Sequence, residues 1–196
     1  MLFPAQGHWS EEEYLALDTN HLVELVNGHL EVHPMASLAH QLILKFLLRC
    51  FDDFVTLHKL GLVLFAPFPV RIVPGTLREP DIVFLKPGRL EKGNPRAVSG
   101  ADLALEVISE GAKNRLRDLR TKRREYALAR IPEYWLVDAR TESVQFDILK
   151  RGPKGFMESR KSAGGWLRSR VFGRHFRITC SVDDRGFPQF QLESKK

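Results

Sequence analysis

The chain has 196 residues, a length that fits one domain and argues against a second catalytic module. Hydrophobic residues make up 43% and charged residues 28%, too apolar for a disordered chain, and no apolar run reaches the roughly 18 residues of a membrane helix. Thirty Lys and Arg against 24 Asp and Glu give a net charge of +6, which favours a polyanionic partner.

The excess is unevenly placed. Residues 1–60 hold three basic and eight acidic side chains, 61–110 six of each, 111–130 eight and two, and 131–196 thirteen and eight. The segment 111–130 therefore carries an excess equal to that of the whole chain. Cys50 and Cys180 stand far apart and outside any C-x-x-C pair, which excludes a disulfide framework or zinc knuckle; both are expected to be buried small hydrophobes. The amino terminus lacks a basic start followed by an apolar run, so the expected location is reducing and cytoplasmic, with no membrane.

Ser10-Glu11-Glu12-Glu13 has the form of a capping box and starts a short helix expected to end near Asp18. Val23 to His33 reads as two strands about Asn27-Gly28, a pair that supplies the two positive φ angles of a type I′ turn. Ser37 to Leu60 repeats apolar residues at helical spacing, from Leu38 and Ile43 to Phe54 and Val55, and Gly61 ends it. Leu62 to Val73 reads as a strand region interrupted by Pro67 and Pro69, and Asp81 to Leu85 as a compact strand. After a loop at 86–100, Ala101 to Ser109 forms a buried strand. Lys113 to Arg130 is a basic helix stopped by Ile131-Pro132. Tyr134 to Asp138 and Ser143 to Leu149 are neighbouring strands, followed by a further hairpin and a terminal tail. The expected class is α/β or α+β: one domain over 1–196, with a central mixed sheet flanked by helices.

A carboxylate inside a buried strand is costly unless it is paired, protonated or metal-bound, so Glu106 needs a partner. Alternation puts Leu103, Leu105 and Val107 on one face and Asp102, Ala104, Glu106 and Ile108 on the other. If the strands of Asp81 and Glu106 are neighbours, their carboxylates can converge on one hard divalent cation. A structural pairing of Glu106 with Arg71 or a helix arginine is the alternative. On a helical wheel that sets Leu116 on the inward stripe, Lys122 falls at the stripe's edge and Arg123 rivals it. His29 and His33 read as surface residues of the hairpin, and Tyr134-Trp135 as packing for the sheet.

Glu79-Pro80-Asp81, Leu105-Glu106-Val107-Ile108-Ser109, Lys122, Tyr126 and Ile131-Pro132-Glu133-Tyr134-Trp135-Leu136-Val137-Asp138 form an ordered set that resembles the Uma family of restriction-endonuclease-like proteins, within the PD-(D/E)xK nuclease superfamily. Val23 to Gly28, Pro34 with His40, Ala66 to Arg71 and Leu167-Arg168-Ser169 extend the likeness from about residue 20 to 180. The resemblance implies a restriction-endonuclease-like core and a metal-dependent endonuclease acting on nucleic acid, DNA by expectation. Asp81 and Glu106 would bind Mg2+ or Mn2+. The lysine that the superfamily carries two residues after this glutamate is Ile108 here, and the resemblance implies that Lys122 of the following helix replaces it.

Glu24 and His40 are accessory candidates. Lys113, Arg115, Arg117, Arg120, Arg123 and Arg124 are expected to contact nucleic-acid phosphates. A homodimer is a further expectation of the nuclease likeness. The competing class is a catalytically silent nucleic-acid-binding module that retains the fold.

Overall fold

A computed structural model describes residues 3–19, 21–89, 96–109, 111, 115–140 and 143–196. Helix α1, Glu11–Leu15, opens on the expected capping box: the Glu13 amide donates to Ser10 Oγ at 3.2 Å and the Ser10 amide to Glu13 Oε2 at 2.8 Å. It stops short of Asp18. Strands β1, Val23–Val26, and β2, His29–Val32, close over Asn27 and Gly28, whose φ angles are 48° and 76°. Helix α2, Leu38–Leu57, is capped by Ser37 and buries Ile43, Leu47, Phe51 and Val55 at helical spacing.

The two prolines divide the next region as their missing amides require, giving β3, Leu62–Phe65, and β4, Val70–Val73, in different sheets. A three-residue strand follows that the pattern does not predict, β5, Thr76–Arg78, entered through Gly75 at φ 76°. Then come β6, Ile82–Leu85, β7, Val98–Ser99, and β8, Leu103–Val107. Helix α3 is α-helical at Arg115 and Leu116, winds as a π-helix over Arg117–Lys122, and continues as α-helix over Arg123–Leu128. The remaining strands are β9, Glu133–Asp138, β10, Gln145–Gly152, β11, Gly155–Glu158, β12, Leu167–Arg168, β13, His175–Val182, and β14, Pro188–Lys195. The last is no tail: all eight of its residues pair with β13, and Phe190 and Leu192 turn inward against α2.

Three sheets result. Their orders are β2-β1-β5-β4-β7, β11-β10-β9-β8-β6-β3 and β12-β13-β14. The pairs β8/β9 and β4/β7 are parallel and the others antiparallel, so the class is α+β with mixed sheets. The six-stranded sheet is covered on both faces. Leu103, Leu105, Val107 and Trp135 pack on α2 and on Leu167, Phe176 and Ile178 of the third sheet, while Ala104, Ile108, Tyr134 and Leu136 pack with Tyr126 of α3. Tyr134 and Trp135 are fully buried, Trp135 standing edge-on to Phe51 at 5.1 Å. Cys50 and Cys180 are only half-buried and unpaired. Among the described residues no helix is long and apolar enough to cross a membrane.

Glu133 ties the third sheet to the second. Its buried carboxylate accepts from Trp135 Nε1 at 3.0 Å, Ser169 Oγ at 2.7 Å and the backbone amides of Arg170 and Val171. Glu133→Ala strands these donors, so the urea-unfolding midpoint should fall by the equivalent of about 3 kcal/mol or more, with the slope unchanged.

Candidate functional site

Asp81 precedes β6, which runs antiparallel to β8 with Ile82 opposite Leu105. One step further in that register, Asp81 faces Glu106, and cross-strand neighbours project on the same side. That side is the α3 face, as alternation predicts. Asp81 Oδ2 accepts the Val107 amide at 2.7 Å and meets His40 Nε2 of α2 at 3.3 Å.

Glu106 Oε1 receives Lys122 Nζ at 2.8 Å and the Tyr126 hydroxyl at 2.6 Å, both from α3. Lys122 also lies 3.3 Å from Glu24 Oε1 and 4.0 Å from Asp118 Oδ1. The strand position Ile108 is buried in the core, and the ammonium arrives from the helix instead. The π-helical winding explains why an ideal wheel left Lys122 at the edge. It turns Asp118 and Lys122 inward, leaves Leu116 half exposed at 50%, and sends the rival Arg123 to Glu158 and the Phe156 carbonyl. Arg71 pairs with Glu11, so it is not the partner of Glu106.

Behind this group lies a second layer, buried at Glu24, His33 and Arg78. Glu24 on β1 uses both oxygens: Oε1 takes the Glu79 amide at 2.9 Å and Lys122, and Oε2 takes His33 Nε2 at 2.8 Å and Arg78 at 2.7 Å. His33 is thus buried, not on the surface. Arg78, 1% exposed, also reaches Glu31 at 2.6 Å and grips Glu125 of α3 with two nitrogens at 2.7 and 2.9 Å. Glu24, Glu31 and His33 bring ligand atoms within 4.8 Å of one another, yet the Arg78 guanidinium already occupies that ground with its own charge.

The front layer opens into a cleft of about 640 Å³. Glu79, Asp81, Glu106, Asp118, Arg117 and Lys122 form its charged wall, and Leu22, Pro34, Met35, Leu44 and Pro67 contribute an apolar wall.

The sequence matches the model of the Uma2 family, described as "Putative restriction endonuclease", over residues 11–177. The chain belongs to the Uma2 family. No curated protein matches it. Its fold is similar to a crystal structure described as "a putative nuclease belonging to DUF820" from Anabaena variabilis ATCC 29413. The TM-score is 0.63 and the identity 13%, over 84% of this chain and 91% of that one. The Uma2 description and the nuclease-like fold support a nuclease-like function.

The electrostatics of this Uma2 cleft follow from burial. Burial would lower the Lys122 ammonium, but Glu106, Glu24 and Asp118 outweigh it and hold its pKa above the ordinary value, so it stays charged. Burial would raise Glu24, but Lys122, His33 and Arg78 hold it well below the usual carboxylate range. Asp81 is pushed well up, first by burial and then by the charge of Glu106. Burial and Glu106 likewise push Asp118 up to about 7, and burial with the Glu24 charge pushes Glu79 up to about 7. Burial pushes His40 down, against the pull of Glu106.

Carboxylates that resist ionising together are relieved by a bound cation. The donor set fits a magnesium-type ion, which takes hard oxygens: Asp81 and Glu106 face each other, and Glu79 Oε2 is buried with no protein partner.

Glu79 and Asp118 were missed from the sequence, and each had a signal. Glu79 stands two residues before Asp81, and Asp118 stands four before Lys122 on one helix. The basic helix is only partly a surface. Arg117 joins the cleft wall, Arg115, Arg120 and Arg124 are exposed, Arg123 is spent on β11, and Lys113 lies outside the described residues.

A raised carboxyl binds its proton more tightly folded than unfolded, so its ionisation costs stability. For Asp118 that cost is complete above about pH 7 and absent below its unfolded value of 3.8. Asp118→Asn should therefore stabilise the cation-free protein at pH 8, with the gain vanishing near pH 4, as thermal unfolding at the two pH values would register.

Proposed function

We propose that the protein is a divalent-cation-dependent endonuclease that hydrolyses phosphodiester bonds of DNA. The observation that carries this reading is the convergence of Asp81 and Glu106 from paired strands with Lys122 from the helix, its Nζ 2.8 Å from Glu106, in the wall of an open cleft. Asp81 and Glu106 would hold Mg2+ or Mn2+. Such an ion lowers the pKa of bound water and screens charge on the phosphate.

Lys122 stays protonated, so its part is electrostatic: it steadies the attacking water and the negative charge that grows on the phosphate, and it takes up no proton. Arg117, in the same wall, is placed to meet a non-bridging phosphate oxygen, and the exposed Arg115, Arg120 and Arg124 continue a positive track along the helix. Glu24 serves by fixing Lys122, and His40 by holding Asp81 through Nε2. Cutting both strands of a duplex calls for two such sites, which a homodimer would provide.

Purified protein should nick or linearise plasmid DNA in Mg2+ or Mn2+, while Asp81→Asn, Glu106→Gln and Lys122→Met each lose activity by about 100-fold or more. Equal cleavage by all four proteins removes the assignment. DNA binding with no cleavage under any divalent ion would point instead to a silent binding module.

A further inference from the structure

We propose that Glu79 is a further carboxylate of the cation site, its Oε2 accepting a hydrogen bond from a water of the cation's hydration shell. The inference rests on Asp81 and Glu106 being the direct ligands. Glu79 is 7% exposed, and two of its polar atoms are partnered: Oε1 accepts from the Tyr14 hydroxyl at 2.7 Å, and the backbone amide donates to Glu24 at 2.9 Å. Oε2 alone is buried without a partner, on a residue that lines the cleft beside Asp81 and Glu106. A buried carboxylate oxygen left unpaired is expensive, and proteins retain such atoms where function supplies the missing partner. The side chain is also held in place, since Tyr14 from α1 fixes one oxygen and thereby the direction of the other.

The chain geometry explains the placement. Glu79-Pro80-Asp81 joins β5 to β6 in three residues, and Glu79 and Asp81 both line the cleft. Water mediation follows from spacing and chemistry. Among the described residues, the ligand atoms that gather within 4.8 Å of one another in threes are those of Glu24, Glu31 and His33; Glu79, Asp81 and Glu106 do not close to that degree. Ligands of one magnesium ion sit about 2.1 Å from it, which demands closer approach, and the ion keeps several waters when few carboxylates reach it. One such water spans the gap to Glu79 and is oriented by it. Lys122 cannot substitute as the partner of Oε2, because its ammonium is engaged by Glu106 and Glu24.

Calorimetric titration of the full chain with Mn2+ alone tests this. Glu79→Gln keeps the size of the side chain and a carbonyl for Tyr14, so circular dichroism should be unchanged. Its Mn2+ affinity should fall by about 10- to 100-fold, while the cation-free unfolding temperature does not drop. Asp81→Asn should bind no Mn2+.

Wild-type affinity in Glu79→Gln, with binding lost in Asp81→Asn, overturns the role of Glu79 and leaves the cation site standing. A fall in affinity matched by a fall in cation-free stability overturns it as well. No Mn2+ binding by the wild type, or undiminished binding by Asp81→Asn, removes the cation reading and this inference with it. Should Glu79→Gln fail to fold, Tyr14→Phe decides: releasing Oε1 should weaken Mn2+ binding measurably but by less than about tenfold, and unchanged affinity overturns the inference.

Discussion

Much of the architecture answers to the burial of one ammonium group. Lys122 is 2% exposed, and a charge withdrawn from water that far persists only with close opposite charges around it. Those charges come from separate parts of the fold: Glu24 from the five-stranded sheet, Glu106 from the six-stranded sheet, and Asp118 from the same helix. The ammonium is therefore a meeting point for three elements that share no backbone pairing at that place. The cleft in front of it has carboxylates in surplus, Glu79, Asp81, Glu106 and Asp118 against Lys122 and Arg117, a surplus that the proposed cation would offset.

One short tripeptide carries the chain from the five-stranded sheet into the six-stranded sheet beside the cleft. Arg78 ends β5 in one sheet, Ile82 begins β6 in the other, and Glu79-Pro80-Asp81 crosses between them. The Glu79 amide is captured by Glu24 on the near side and the Asp81 carboxylate by the Val107 amide on the far side. Arg78 anchors the crossing from beneath, pairing with Glu24 and Glu31 of the hairpin and with Glu125 of α3. The proline contributes by having no amide to satisfy at the point where the chain belongs to neither sheet.

What could be read from residue order alone tracks how local the deciding physics is. The capping box at Ser10, the Asn27-Gly28 turn and the long amphipathic helix are local, and each formed as expected. The side on which Glu106 projects follows from strand alternation and was equally legible. Strand β5 was not, because its three residues, Thr76–Arg78, are too few to display a period. The burial of Glu24, His33 and Arg78 was hidden for another reason: each looks like a surface charge until its distant partners are known, as with Glu24 and Lys122. Strand β14 had an alternating signal in Phe190 and Leu192, masked by the polar residues between them. The inward turn of Lys122 depended on winding that an ideal α-helix does not have.

That winding carries a consequence for how the sequence can change. The π-helical stretch spends one residue more per hydrogen-bonded loop than an α-helix does; Asp118 lies within it, Lys122 closes it, and Glu125 and Tyr126 follow it. A π-helical stretch takes up about one residue more than the α-helix it interrupts, so loss of one residue between 118 and 122 would restore ordinary α-helical winding with the helix on either side in nearly its former orientation. The change would fall on the stretch itself, where the inward turn of Asp118 and Lys122 depends on the wider winding. The exposed Arg120 and Thr121 can exchange for many side chains at little cost, so the extra residue serves the cleft wall and not the course of the helix through the fold.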